Sequence, residues 1–435
     1  AGLPFGSNRI RPRMAPMQTS RFREFAGRFA RPDRIRVACG TVLVMHLVLL
    51  GVMFATARGG RTIFGPGLGA DYAQFHVAAT ILNSYPPSRL YDLELQDRVY
   101  HELLPRMPPE ESLPFAQGPL LAVALRPLAL LPYAWSYAVW LAISGGLALA
   151  GLALTLSRAD SIAPEDRATA LLLALSFQPL LTECWLGGQT SALGLFCVAV
   201  ALRCERRGRP MAGGAALALC LYKPTVLLLA LPMLIVRGRL RALAGFAAAG
   251  LGLAVASLLA IGTEGCLAYA RVLRGYARTT TGAAMVFRDF KYVDIRSFFA
   301  LLLHGPGPVA RAAAVAAALI GVPILIACWW SARRGADRRA LALAATLSWT
   351  AVFNLYTPVY DAALVLPGVI VTADVLARRG GGRLPGRFRA LLGLLGLVPW
   401  VSQALARAVG FQPLTLVLLA LGAFQIDLAR RVGDG

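Results

Sequence analysis

Charge is scarce in this sequence: Asp, Glu, Lys and Arg together make up only 15% of 435 residues, while hydrophobic residues make up 57%. With a mean hydropathy of +0.61, that scarcity excludes an ordinary soluble domain and fits a chain that crosses a bilayer repeatedly. Acids are rarer still, 22 against 44 basic residues. The excess sits largely in arginines of short loops between apolar runs, so it reports topology and contact with anionic membrane lipids. No interleaving of aromatic and basic residues is present, which argues against a nucleic-acid partner. The seven cysteines (Cys39, Cys184, Cys197, Cys204, Cys220, Cys266, Cys328) contain no CxxC pair and lie mainly in or beside apolar segments. They read as small core hydrophobes, not as a disulfide framework or a metal site. His46, His76, His101 and His304 show no ligand spacing, and no EF-hand, Walker or DxD-type nucleotide-sugar motif is visible. No metal or cofactor is expected.

What is present is a series of apolar runs separated by basic punctuation. Residues 1–36 carry nine arginines against two acids and no long apolar run, and read as a basic cytoplasmic arm. The run from about Val37 to Ala57 reads as a retained transmembrane helix, because a signal peptide would need a far shorter leading region and a cleavage site. Further runs follow near 134–156, 242–262, 308–330, 340–357, 362–377, 390–407 and 411–428. The positive-inside rule puts the arginine clusters at 237–241, 333–339, 378–389 and 430–431, together with both termini, in the cytoplasm of a cell (inner or plasma) membrane. Outside it leaves a first loop at 58–115, which holds short helices, a second large loop at 264–296, and residues around 356–361. Residues 37–435 thus form one multi-pass domain, an all-α polytopic bundle. Within it, 116–236 reads best with breaks at Gly187-Gly188-Gln189 and Lys223-Pro224, which keep CERRGRP (204–210) inside. Half-helices produced by such breaks cannot each span about 30 Å of hydrocarbon and must line a cavity.

The first outer loop carries the most informative residues. Asp71 stands just before an amphipathic run with Gln74 three residues on, the pattern of a capping box. A capping carboxylate can still be exposed on its other oxygen, so a structural and a chemical role are both open. Asp92, before LELQDRVYHELL, reads as a helix N-cap.

In order, the chain then shows Asp71-Tyr72, Ala78-Ala79, Leu90-Tyr91-Asp92, Phe115 with Pro119, Arg126-Pro127-Leu128, Leu131-Pro132, Gly188-Gln189 and Lys223-Pro224. This ordered set, covering about Val37 to Leu240, resembles glycosyltransferase family 87, integral membrane enzymes of the GT-C superfamily. Arg296-Ser297-Phe298-Phe299 and YTPVYD (356–361) agree more loosely. Two departures stand out: the family's aromatic-proline-proline turn is here Phe115-Ala116-Gln117-Gly118-Pro119, and tyrosines replace a histidine found in some members near the late motif.

The resemblance implies a GT-C-type bundle of roughly 10–13 transmembrane helices. It also implies an inverting transfer of mannose or another hexose, at the outer face, from a polyprenyl-phosphate donor to a lipid or glycolipid acceptor. Asp71 matches the family's first-loop acid and is the expected general base. Lys223 is the first candidate to hold the donor phosphate, against a bland reading as a snorkelling lysine. Arg288, Lys291 and Arg296 follow, against a reading as a solvated basic loop. Tyr72, Tyr91, Gln189, Tyr356, Tyr360 and Asp361 are candidate substrate contacts, although Tyr360 and Asp361 equally suit the start of a helix. A lipid or solute transporter or flippase is the alternative class, but it would typically show matched helix repeats, and none is evident. A membrane acyltransferase would call for a histidine-acid pair at short spacing, which is also missing.

Overall fold

A computed structural model describes residues 31–65, 67–107, 112–279, 289–332 and 335–432. Among these residues the chain is a succession of helices and short 3₁₀ turns without a β-strand. Seven helices are long and apolar enough to cross a bilayer: Pro32–Thr56, Tyr133–Leu156, Leu240–Gly275, Pro308–Ser331, Val359–Arg379, Gly386–Val409 and Pro413–Arg431. The pair Pro164–Leu175 and Pro179–Leu186, bent by 52°, adds an eighth if taken as one broken span. The protein is therefore an all-α, multi-pass membrane protein. That is fewer than the expected 10–13; helices Ser191–Arg206 and Ala336–Val352 and the apolar stretches Pro210–Tyr222 and Pro224–Val236 are shorter.

The outer faces of the long helices stay apolar because they have hydrocarbon to face. Val37, Leu47, Leu251, Leu259, Leu319 and Leu397 are all exposed on the isolated protein, which suits lipid-facing positions where side chains gain nothing from further burial. Inside, helices approach closely over small residues. A Cβ at Gly214 would overlap the Ala242 carbonyl, and one at Gly245 would overlap the Met211 carbonyl. These two glycines let Pro210–Ala218 lie against Leu240–Thr279. Along the latter, the helical chain runs on past Gly262, whose φ of 71° marks a sharp kink. Residues 264–279, expected as the start of an outer loop, are consequently helical.

Polar contacts sort the helix ends into two groups. At one end Arg206 donates to the Arg158 carbonyl and Glu205 pairs with Arg239. There too, Ser161 N–H donates to Asp374, Arg378 bridges Asp337 and Asp374, and Arg338 donates to the Val432 carbonyl. The basic clusters of four separate loops are gathered there, with 204–210 among them. The opposite end holds the first-loop helices Ala73–Ser84 and Leu93–Leu103, the break at Lys223, and the segments 289–296 and 353–360.

The first loop is locally well determined. Asp92 caps Leu93–Leu103 by accepting from Leu95 N–H at 3.1 Å, and the Arg89 guanidinium 2.7 Å away is the main cause that holds its carboxyl below the usual range. Gln96 accepts from Phe115 N–H and donates to the Leu90 carbonyl, tying the ends of the loop together. Helix Ala73–Ser84 was expected to be amphipathic. It is instead buried nearly all round, because Leu93–Leu103 covers one side while Pro119–Leu125 and the 3₁₀ turn Leu128–Leu130 cover others.

Candidate active site

A cavity of about 710 Å³ opens among the loops at that end. Six segments line it: 71–74 and 113–117 from the first loop, 183–189, 222–228, 291–296 and 353–360. Its wall continues along Leu273 and along Ala314, Val315 and Ala318 of helix Pro308–Ser331, so one side is polar and the other hydrocarbon.

Asp71 lies in this lining. The helix that follows has Tyr72 as its N-cap with no side-chain cap bond, and Gln74 reaches back to the Asp71 carbonyl at 3.0 Å. The N-cap position thus falls on Tyr72, and Gln74 donates to the Asp71 carbonyl where a capping box would have it accept from the Asp71 N–H. Opposite Asp71 the chain turns through Gly187 and Gly188. Gly188 has φ 82° and packs on Tyr72, where a Cβ would collide with the Tyr72 side chain. A Cβ at Gly187 would collide with the Glu183 carbonyl and stand at ordinary contact distance, 3.6 Å, from Asp71 Oδ2, so the Asp71 carboxylate lies against this turn. Trp140 Nε1–H fixes this turn by donating to the Gly188 carbonyl at 2.8 Å. Gln189, buried to 3% exposure, is held into the lining by its own N–H to the Cys184 carbonyl.

Lys223 enters from the break between 3₁₀ turns Leu219–Tyr222 and Pro224–Leu227. Its Nζ lies 2.5 Å from Asp361 Oδ2, 3.5 Å from the Tyr360 hydroxyl and 4.5 Å from the centroid of the Tyr360 ring. Asp361 in turn accepts from Ser191 Oγ–H at 2.6 Å. Lysine and aspartate are both buried, with side chains 8% and 6% exposed, and an ion pair this dry is retained only with its further hydrogen bonds satisfied. Burial pushes the Tyr356 phenol up to about 12, so near neutral pH it keeps its proton and can donate a hydrogen bond.

Lys291, Arg296 and Arg311 add positive charge to the same lining. The segment carrying the first two is anchored by Asp294, which accepts from Ser297 N–H and Thr357 N–H at 2.9 Å each. Gln412 donates to the Phe290 carbonyl and Thr415 to the Val293 carbonyl, fastening it to the last helix. Burial raises the Asp289 carboxyl to about 6 despite Arg296 nearby. Arg288 lies outside the described residues.

Of the sequence candidates, Asp71, Gln189, Lys223, Lys291, Arg296, Tyr356 and Tyr360 thus face one cavity. Tyr72, Tyr91 and Asp361 stand behind its wall. The Tyr72 hydroxyl meets Ser136 Oγ at 2.6 Å and its ring stacks on Trp140. The Tyr91 hydroxyl donates to the carbonyl of the lining residue Gln117 at 2.6 Å. Sequence reasoning missed Glu183, Gln117, Arg311 and Asn354 in the lining. A signal existed for Glu183, an isolated acid inside the apolar stretch LLTECWL, because an ionisable residue at membrane depth is a functional candidate by default. Another lay in composition: of 44 basic residues only Lys223 and Lys291 are lysines, and both line the cavity.

Comparison with family models finds one for glycosyltransferase family 87 that matches residues 115–358, more than half of the chain. The matched stretch carries Gln189, Lys223, Lys291, Arg296 and Tyr356, whereas Asp71 precedes it. No match was found among curated proteins or among solved structures.

Proposed function

Because this chain belongs to glycosyltransferase family 87, we propose that it transfers mannose or another hexose from a polyprenyl-phosphate donor to a lipid or glycolipid acceptor, with Asp71 as the base. The observation that carries this reading is the make-up of the cavity, where two carboxylates, Asp71 among them, and four cationic side chains share a lining with an apolar wall. Such a site fits a substrate with an anionic head, a sugar and a hydrocarbon tail.

Asp71 takes the proton of an acceptor hydroxyl as that oxygen attacks the anomeric carbon. The bond from that carbon to the phosphate oxygen breaks, and its electron pair leaves with the lipid phosphate. A single displacement inverts the anomeric centre and needs no second carboxylate as nucleophile. Lys223, Lys291 and Arg296 offset the charge that grows on the leaving phosphate. Asp361 holds the Lys223 ammonium in place, while Tyr356, Tyr360 and Gln189 offer hydrogen bonds to sugar or phosphate. The tail lies along Ala314, Val315 and Ala318. The cavity end faces outward, and the basic end, with both termini, faces the cytoplasm.

The test is transfer by purified protein in lipid vesicles, without added metal, from radiolabelled polyprenyl-phosphate mannose and separately from GDP-mannose. Product from the lipid-linked donor alone supports the reading. Efficient use of GDP-mannose by the protein on its own refutes it.

A further inference from the structure

Among the described residues Glu183 is the one acid of the cavity lining besides Asp71, and the mechanism above leaves it without a task. It sits in the π-helical segment Pro179–Leu186, four residues before the Gly187-Gly188 turn that passes Asp71. Such wide turns are uncommon and gather at functional sites. Gln178 Nε2 and Gln403 Nε2 both donate to the same oxygen, Oε1, at 2.9 and 2.7 Å. Gln403 comes from the distant helix Gly386–Val409. Among the described residues Glu183 forms no ion pair, and two neutral amides orient its carboxyl group. A carboxylate kept inside a membrane protein in this way is costly, and a leucine would fill the position at lower cost if only packing mattered.

We propose that Glu183 accepts hydrogen bonds from hydroxyls of the transferred hexose, making it a specificity-determining residue that also favours the positive charge developing on the sugar ring. The two amides hold Oε1 on the protein side and turn the other oxygen toward the cavity. The Asp71 carboxylate lies against Gly187, four residues on from Glu183, and both acids line the cavity. One can then bind the sugar while the other takes the acceptor proton. The inference rests on the reading of the site as a lipid-linked sugar transferase.

The experiment is a cycle between protein and substrate. Transfer by the full-length protein in vesicles is measured from polyprenyl-phosphate mannose and from its 2-, 3-, 4- and 6-deoxy analogues, for the unaltered protein and for Glu183→Gln. With the unaltered protein, one deoxy position should cost about 10- to 100-fold, the size expected for a hydrogen bond to a charged group. Glu183→Gln should lose a similar factor on the parent sugar and show no further loss at that position. If Glu183→Gln fails to give monodisperse protein, Gln403→Met carries the same test, since it loosens the carboxylate from behind and should shrink the same deoxy penalty. Penalties identical to those of the unaltered protein, in either variant, overturn the role of Glu183 while leaving the transferase reading intact. Absence of transfer from every lipid-linked sugar by the unaltered protein overturns both.

Discussion

Lys223 shows at the scale of one residue what the cavity demands. In a chain whose other cations are nearly all arginines, a lysine here offers a compact ammonium that fits between Asp361 Oδ2 and the faces of Tyr360 and Tyr356. A planar guanidinium has a different donor geometry, so Lys223→Arg is not a conservative change at this site. Lys223→Met leaves Asp361 buried with Ser191 as its remaining side-chain partner among the described residues, and breaking a buried pair from one side costs about 3–5 kcal/mol. Lys223→Met with Asp361→Asn should recover most of that stability without recovering transfer. Thermal unfolding in detergent measures the first effect and vesicle assays the second; equal midpoints for Lys223→Met and the unaltered protein would contradict the pairing. His76 makes a second prediction. It is 2% exposed, its Nδ1 lies 3.0 Å from Ser136 Oγ, and burial lowers its ring to about 4. A base depressed in the folded state contributes stability that is complete above its unfolded value, about 6.5, and is lost as pH falls toward 4. Stability should therefore drop between these limits, with a slope approaching about 1.4 kcal/mol per pH unit. His76→Gln should flatten that part of the profile, and an unchanged slope would show that His76 is not its source.

Among the elements, the meeting of Pro210–Ala218 with Leu240–Thr279 depends on having no side chain at Gly214 and Gly245. Gly245→Leu pushes two backbones apart and should cost about 1–3 kcal/mol or more. Gly252→Leu, on the same helix with nothing near its Cβ position, should be tolerated. The pair of thermal midpoints checks this, and equal losses at both positions would refute the close approach. These helices also mark how far sequence alone reaches. Tyr133–Leu156 and Pro308–Ser331 start and stop within a residue or so of the apolar runs, because hydrocarbon length and turn chemistry both act locally. The breaks at Gly188 and Lys223 were equally visible, as positions where a straight helix would have to bury a turn or a charge. Arg311 and Gln117 were not, since what brings them to the cavity is the packing of segments far apart in the chain, whereas Glu183 was passed over although its place in an apolar stretch was a signal. The helical continuation past Gly262 was also hidden, because its sequence up to Thr279 is polar enough to read as a loop. Asp71 was found through its place before a helix and its match to a family pattern, although the N-cap of that helix is Tyr72.

For the whole molecule, every chemical statement depends on which end of the bundle is outward. The arginines of separate loops meet at one end and the cavity lies at the other, so a single test of sidedness decides both. Single cysteines at Asp97 and at Arg206 or Gly381 should be labelled from opposite sides of intact cells, with Asp97 reached from outside. Labelling of position 206 from outside would invert the assignment and put the cavity in the cytoplasm, where a nucleotide sugar becomes the natural donor. The central claim is that this cavity transfers a lipid-linked sugar with Asp71 as its base, and one substitution addresses it most directly. Asp71→Asn keeps shape and hydrogen-bonding capacity and removes only proton acceptance. Turnover of the purified variant in vesicles, from polyprenyl-phosphate mannose, should fall about 10²- to 10⁴-fold with expression, unfolding midpoint and donor binding nearly unchanged. Turnover comparable to that of the unaltered protein would contradict the account.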